Sequence, residues 1–250
     1  MARLLSGYSD HPRADVEAIC MTLIKVSQLI TDVPEIVELD INPLLADERG
    51  VIALDARMQI APARGNGADR LAIRPYPKEL EEWIDWAGMR VLIRPIMPED
   101  GERHLRFFDR LDPEDVRMRL FVPTRELKPT QLARLTQIDY DREMALVATV
   151  QTVPGQWETI GVARAVADPD NVSAEFALSV RSDLKARGLG GIFLRKLIRY
   201  CRERGTARLV GETLFDNEPM QRLAKRCGFR LKPAPEPGVI LMELDLRASP

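Results

Sequence analysis

One short glycine-rich segment constrains this 250-residue chain more than any other: Lys185-Ala186-Arg187-Gly188-Leu189-Gly190-Gly191. An extended segment (residues 175–180) precedes it and an apolar-periodic one (residues 192–198) follows, so the pattern predicts a strand, a turn and a helix. The glycines remove side chains where the helix begins, which lets its unpaired N–H groups and positive dipole end approach an anion. Since Lys185 and Arg187 add two cations, the segment predicts a pyrophosphate-binding loop.

Two common phosphate-binding motifs do not fit this loop. A P-loop carries Lys-Ser or Lys-Thr after its last glycine, and the dinucleotide motif requires Gly-x-Gly-x-x-Gly, whereas residues 188–193 are Gly-Leu-Gly-Gly-Ile-Phe. The spacing instead resembles the acyl-CoA loop of the GNAT N-acetyltransferases, Gln/Arg-x-x-Gly-x-Gly/Ala, with Lys185 keeping a donor and a charge in the first position. The alternative is a glycine-rich turn without a ligand. The resemblance implies that the CoA pyrophosphate binds to Lys185, Ala186, Arg187, Gly188, Leu189, Gly190 and Gly191.

A second segment, residues 217–229, supports the same resemblance. Asn217 is a typical helix N-cap residue, Pro219 suits a first helical turn, and Gly228 stands where a C-cap is expected. An asparagine that opens a helix ending in Gly-Phe resembles the second GNAT motif, although an ordinary capped amphipathic helix is the alternative. Because a strand-like segment, residues 207–213, separates the two motifs in the expected order, the chain is identified as a member of the GNAT family.

Composition excludes several classes of protein. Apolar residues make up 45% and charged residues 30% of the chain, and the net charge of −2 gives no basic field for nucleic acid or an anionic membrane. The three cysteines lack CxxC spacing and there are only two histidines, so we expect no metal site and no Cys-His nucleophile. No apolar run approaches the roughly 20 residues of a membrane helix, and a signal-peptide core is missing, so we expect a cytoplasmic protein.

The chain is expected to divide into three parts. Residues 88–250 alternate strands and helices, which predicts an α/β domain with a mixed sheet; the resemblance implies the GNAT acyl-CoA N-acyltransferase fold, with a splayed sheet and flanking helices. Residues 64–87 are predicted to be a linker with a short helix around residues 79–86. Residues 1–63 are predicted to be a small α+β fragment, in which residues 36–41 and 51–56 form a hairpin.

The first 63 residues carry a resemblance of their own. Residues 35–45 and 51–57 are similar to the end of the ATP-grasp region of ADP-forming acyl-CoA synthetases. In that family an asparagine and an aspartate at the positions of Asn42 and Asp55 hold Mg²⁺, but most of the nucleotide cleft is missing. A hairpin with a turn Asn and a strand Asp is favoured over a metal site.

The two resemblances together point to bacterial protein lysine acetyltransferases in which a synthetase-like region precedes a GNAT domain. They imply acetyl-CoA as cosubstrate, lysine side chains of proteins as acceptors, and AMP-forming acyl-CoA synthetases among the targets. Only the end of the synthetase-like region is present, so regulation attributed to that region is not assumed.

Acetyl transfer to an amine requires a base, because a lysine amine with a pKa of about 10.4 is neutral in only about one molecule in a thousand near pH 7.4. Glu175 is the candidate base, and its apolar neighbours are expected to raise its pKa. The resemblance places the catalytic glutamate in the same segment, Ala-Glu-Phe-Ala at residues 174–177. A solvent-facing strand glutamate is the alternative, and Glu212 is a competing base.

The resemblance also implies how the rest of CoA is held. In the GNAT fold two central parallel strands splay, and pantetheine lies against the backbone of residues corresponding to 176–180, which adds Leu178 and Val180, with Asn217, to the cofactor-binding set. A backbone N–H near Leu178 would polarise the thioester carbonyl. Many GNAT enzymes protonate the leaving thiolate with a tyrosine, but Ala224 stands at that position. Water, Asn217 or another residue must then serve.

Two other functions compete with protein acetylation. The acceptor is a small amine in the first, because acceptor loops vary on this fold. The second is a non-catalytic acyl-CoA-sensing module, which the missing tyrosine favours and which the intact loop and Glu175 disfavour.

Overall fold

The computed structural model describes residues 12–63, 74–121 and 127–247, together with residues 5, 7, 67 and 71. The chain forms two units, Met1–Pro75 and Tyr76–Pro250. Every residue predicted to bind CoA or to act in catalysis belongs to the second unit.

The first unit contains a capped helix and short strands. Helix α1 (Val16–Asp32) begins after Asp15, whose carboxylate accepts a hydrogen bond from the Ala18 amide at 2.9 Å. The strands are β1 (Ile36–Ile41), β2 (Leu44–Asp47), β3 (Gly50–Ala53) and β4 (Ala56–Ile60).

These strands do not form the predicted hairpin, in which residues 36–41 pair with residues 51–56. Instead β1 pairs with β4, and β2 pairs with β3. A tight turn at residues 48–49 closes the β2–β3 pair, and the Arg49 amide donates to the Asp47 carboxylate at 2.8 Å in that turn. Because this turn commits β3 to the strand directly before it, β1 pairs with the residues that follow β3.

Asn42 and Asp55, the two positions at which the ATP-grasp resemblance places magnesium ligands, contact each other through their backbones. The Asn42 amide donates to the Asp55 carbonyl at 3.1 Å, while the Asp55 carboxylate pairs with the Arg57 guanidinium at 3.3 Å. In the described ranges no three His, Cys, Asp or Glu side chains are grouped as metal ligands would be. The residues present therefore do not fit a metal site, and we assign none to them.

The second unit is built on one mixed sheet. Its strands are β5 (Glu82–Trp86), β6 (Met89–Pro95), β7 (Glu143–Val153), β8 (Gln156–Ala167), β9 (Ser173–Val180), β10 (Arg208–Leu214), β11 (Arg230–Pro233) and β12 (Val239–Asp245). They are ordered β11-β12-β10-β9-β8-β7-β6-β5, and β9–β10 is the parallel pair. The helices are α2 (Gly101–Asp109), α3 (Pro113–Leu120), α4 (Pro129–Thr136), α5 (Leu189–Glu203) and α6 (Glu218–Arg226). No helix in the described part of the chain is both long and apolar enough to cross a membrane.

The short helix predicted around residues 79–86 is wrong. A single 3₁₀ turn, Lys78–Leu80, precedes strand β5, which pairs with β6 across the turn at residues 87–88. Trp86 is buried on one side of this strand while Trp83 is exposed. Because alternate residues of this segment pack against the sheet, the segment forms a strand, although its sequence predicts part of a linker with a short helix.

Apolar side chains cover both faces of the sheet. On one face Phe193, Leu194 and Leu197 of α5 pack against strand residues, and each is fully buried. Burial of one such side chain stabilises the fold by about 1.5–3 kcal/mol. On the other face Phe107 of α2 and Val116 of α3 belong to a second cluster with residues of β7 and β8. The two helical layers hold the central strands between them.

Candidate active site

The two parallel strands at the centre of the sheet separate towards their carboxyl ends. β9 and β10 pair only from Ser173 with Arg208 to Glu175 with Val210. Beyond these residues β9 stays paired with β8, and β10 with β12. The gap is part of a cleft of about 910 Å³, also lined by α3, by residues 184–186 and 188–191, and by α6. The splayed sheet expected from the resemblance is confirmed.

A phenylalanine ring packs where the strands part. A Cβ atom added to Gly211 of β10 would lie 2.6 Å from the ring of Phe176 of β9, and that ring also packs on Phe229 with centroids 5.1 Å apart. Only glycine leaves room for the ring at position 211. Because Phe176 also lines the cleft, this close contact influences the shape of the cleft.

The Gly211→Ala variant is therefore expected to be destabilised. The new methyl group must displace the Phe176 ring, which we expect to lower the free energy of unfolding by about 1–3 kcal/mol. Urea denaturation of the two proteins measures the difference. A Phe176→Leu change in the same chain should restore part of the loss, and equal stability of wild type and Gly211→Ala would contradict the packing argument.

Hydrogen bonding across β8 and β9 fixes which backbone groups face the gap. The Arg181 amide donates to the Ile160 carbonyl at 2.9 Å, on the β8 side. Backbone groups alternate between the two edges of a strand, and the β8–β9 register continues without a bulge. The amides of Phe176, Leu178 and Val180 therefore point away from β8 and into the gap. This direction is the one that a donor to the thioester carbonyl requires.

The glycine-rich loop ends in an open helix N-terminus. Ala186 and Gly188 have left-handed φ values of 59° and 91°, and α5 then begins at Leu189. The first amide to bond back is that of Gly191, to the Gly188 carbonyl at 3.0 Å, so the amides of Leu189 and Gly190 have no backbone acceptor among the described residues. These two donors, with the positive end of the helix dipole, form an anion site.

The Trp86 indole anchors the same loop. Its N–H donates to the Arg187 carbonyl at 2.8 Å. The Arg187 side chain is exposed and is not among the residues that line the cleft. The other residues proposed for cofactor binding all line it: Leu178, Val180, Lys185, Ala186, Gly188, Leu189, Gly190, Gly191 and Asn217.

Lys185 is not a free cation, because its ammonium group pairs with the carboxylate of Asp115 on α3. The same carboxylate accepts a hydrogen bond from the Ser182 hydroxyl at 2.5 Å. Two residues further on, Arg117 donates to Asp216 at 2.6 Å, beside Asn217. Helix α3 therefore contacts the glycine-rich loop through Lys185 and the start of the second motif through Asp216. This helix was not predicted from the sequence, although Pro113-Glu114-Asp115 is a typical helix start.

Replacing Asp115 by Asn should strengthen the binding of a CoA pyrophosphate. The carboxylate competes with the anion for Lys185, and an exposed ion pair of this kind is worth up to about 1 kcal/mol, so we expect the Kd for acetyl-CoA to fall about two- to fivefold. Calorimetric titration measures the change, and Glu102→Gln on α2 is the control. Weaker binding would show that Asp115 orders the loop more than it competes for the lysine.

Helix α6 begins as the second motif predicts. The Asn217 side chain accepts a hydrogen bond from the Met220 amide at 3.2 Å. Ala224, at the position of the usual tyrosine, is completely buried. The buried Thr213 hydroxyl lines the cleft without a hydrogen-bond partner in the described ranges.

Burial raises the pKa of the Cys201 thiol to about 12, so this cysteine is not a nucleophile at neutral pH.

Glu175 and Glu212 lie on the same face of the sheet. Glu175 is in register with Val210, and Glu212 is two residues further along that strand. Both line the cleft on the side that α3 covers, and both are exposed. The burial expected for Glu175 from its apolar sequence neighbours is therefore wrong, because those neighbours point to the opposite face. Its carboxylate has no hydrogen-bond partner within the described ranges.

Comparison with family models agrees with this arrangement. Residues 90–230 match the acetyltransferase (GNAT) domain, and residues 1–60 match the ATP-grasp domain. A stretch of 55 residues is 42% identical to the beta subunit of the ADP-forming acetate–CoA ligase I of Pyrococcus furiosus. The stretch covers 22% of this chain and 24% of that subunit. The chain therefore carries only a fragment of an ATP-grasp region before its second unit.

Two relatives match the second unit along most of their own length. The acetyltransferase PA5475 of Pseudomonas aeruginosa is 31% identical over 153 residues, covering 60% of this chain and 82% of that protein. The crystal structure of the GNAT domain of PAT from S. lividans is 28% identical, with a TM-score of 0.62, and covers 68% of this chain and 99% of that one. The splayed strands, the open helix N-terminus and these matches agree: the chain belongs to the GNAT acetyltransferase family.

Proposed function

We propose that this protein transfers the acetyl group of acetyl-CoA to the ε-amine of lysine residues in proteins. Attack occurs directly in a ternary complex, with Glu175 as the general base. The observation that carries the proposal is the position of Glu175, whose carboxylate has no hydrogen-bond partner among the described residues and lies in the same cleft as the inward-facing Leu178 amide and the open N-terminus of α5.

The cofactor would lie along the gap between β9 and β10. The amides of Leu189 and Gly190 hold the pyrophosphate, and Lys185 adds its charge when it exchanges Asp115 for the anion. The backbone of residues 176–180 holds the pantetheine. The Leu178 amide then stabilises the negative charge that develops on the thioester oxygen as the amine attacks.

The acceptor would enter from the side of the cleft that α3 covers. Glu175 and Glu212 line the cleft there and their carboxylates attract an ammonium group, whereas Glu114 and Asp216 are paired with Arg117. Glu175 removes a proton, directly or through a water molecule, so that the neutral amine attacks the carbonyl carbon. The C–N bond forms as the C–S bond breaks, and the CoA thiolate leaves. The proton donor to this thiolate is not assigned.

The carboxylates of Glu175 and Glu212 support an amine acceptor, and the ATP-grasp fragment supports a link to acyl-CoA metabolism. We therefore propose acyl-CoA synthetases among the protein targets. The three cysteines are free thiols, which supports a reducing, cytoplasmic setting.

Competition between acceptors tests the choice of protein over small amine. Release of CoA is followed with acetyl-CoA and either acyl-CoA synthetases or a panel of polyamines, amino sugars and amino acids. We expect saturable turnover with the proteins and slow turnover with the small amines. Turnover confined to a small amine would overturn the proposed acceptor, and CoA binding without turnover on any amine would indicate a sensing module.

A further inference from the structure

A guanidinium group that has no partner among the described residues lines the same cleft as the proposed base. Arg119 is in the last turn of α3 and lines the cleft with Asp115 and Met118, which share its helical face. Its side chain is half-buried and makes no hydrogen bond or ion pair within residues 12–63, 74–121 and 127–247. Burial lowers the pKa of this guanidinium, and the charge of Glu175 opposes that shift. The two groups are therefore close enough to interact, although they are not paired.

The neighbouring arginine on the same helix is fully satisfied. Arg117 donates to Glu114 and to Asp216, at 2.6 Å in each case. Among the described residues Arg119 has no such carboxylate, although Arg119 lines the cleft and Arg117 does not. Within the ranges that the structure describes, Arg119 therefore lacks a carboxylate partner at the position where an acceptor would enter.

The other charged groups near Arg119 do not neutralise it. Arg164 repels it from the sheet, and the Glu143 carboxylate there is already paired with Arg164. Burial, reinforced by the charge of Arg164, lowers the pKa of His104 to about 4, so this imidazole is neutral at pH 7. A half-buried cation in such surroundings is costly, and an anion supplied by a ligand offsets that cost.

We propose that Arg119 binds a carboxylate of the acceptor and thereby selects amines that have a carboxylate close by. The inference rests on the proposed function, because Glu175 fixes where the amine lies. In a protein acceptor the carboxylate belongs to an Asp or Glu residue that flanks the lysine in sequence or in space. A free amino acid presents the same chemistry with its own carboxylate. The planar guanidinium suits this role because its parallel N–H donors match the two oxygens of a carboxylate.

Paired peptide substrates test the inference. One peptide carries Asp next to the acceptor lysine and the other carries Asn, and kcat/KM is measured for both with wild type, Arg119→Gln, Arg119→Lys and the surface control Arg106→Gln. A charge-assisted hydrogen bond corresponds to a preference of about tenfold or more. We expect wild type and Arg106→Gln to prefer the Asp peptide by this factor, mainly through KM. Arg119→Gln should bring the ratio close to one, and Arg119→Lys should retain part of it.

The ratio separates recognition from a structural role. If Arg119→Gln lowers kcat/KM equally for both peptides, or if wild type does not distinguish them, the inference is wrong while the proposed function stands. If neither peptide is acetylated, free amino acids are compared with their amides. A preference for the free acid that Arg119→Gln abolishes would support carboxylate binding and overturn the protein acceptor, whereas equal turnover of acid and amide would overturn carboxylate binding.

Discussion

We expect Glu175→Gln to lower the rate of acetyl transfer by about 10²- to 10⁴-fold, the range expected when a positioned general base is lost. The amide keeps the shape of the side chain but cannot take a proton from the ammonium group. Because the side chain lies on the proposed acceptor face of β9, and not at the helix N-terminus proposed to hold the pyrophosphate, the Kd for acetyl-CoA should stay within about twofold. Stopped-flow or steady-state detection of CoA release measures the rate, and calorimetry measures the Kd.

Glu212→Gln is the matched control for this experiment. Glu212 lies on the same face of the sheet and lines the same cleft, so the two variants remove the same charge from neighbouring positions. We expect the second variant to retain most of its activity. Equal losses in both variants would mean that the carboxylates only attract the acceptor, and a loss confined to Glu212→Gln would move the base to β10.

We expect Gly190→Asp to raise the Kd for acetyl-CoA by about 100-fold or more. The new carboxylate lies at the N-terminus of α5, next to the two amides that have no backbone acceptor. Repulsion between it and one phosphate charge about 5 Å away is roughly 3 kcal/mol at an effective dielectric constant of about 20. An acidic residue in the first turn stabilises the helix itself, so the fold should persist.

Gly190→Asn separates charge from bulk in this test. A Cβ atom at position 190 would lie 3.3 Å from the Leu223 side chain and 3.6 Å from the Leu178 side chain, and both variants share that crowding. We expect the asparagine variant to bind acetyl-CoA at least tenfold more tightly than the aspartate variant. Similar Kd values for the two variants would show that position 190 requires glycine for steric reasons and not because an anion binds there.

Local patterns predicted the parts of the fold that local physics determines. The strand, loop and helix of residues 173–203 and the capped helix α6 depend on glycine conformation, capping and helical periodicity, all of which are visible within about fifteen residues. Strand β5 and the pairing of β1 with β4 depend on partners further along the chain. The tryptophans and Ile84 in the segment from Glu82 to Trp86 favour a strand, and pairing with the neighbouring strand β6 decides the structure there.

The predicted site shows the same division. Lys185, Gly188 and Gly190 were predicted to bind the cofactor because the loop has a characteristic spacing. Asp115 and Arg119 were missed because α3 is far from the loop in sequence and has no motif, and only packing places it across the cleft. The exposure of Glu175 was also misjudged, since adjacent residues on a strand point to opposite faces and apolar neighbours do not bury it.

Intact-protein mass spectrometry tests the central claim most directly. Cytosolic proteins, acyl-CoA synthetases included, are incubated with acetyl-CoA and either wild type or Glu175→Gln, and acetylated lysines are then mapped in peptides. We expect a gain of about 42 Da, one acetyl group transferred by attack of an amine on the thioester, with wild type but not with the variant. If no protein gains this mass although acetyl-CoA binds, or if the variant produces the same shift, the proposed protein lysine acetyltransferase is contradicted.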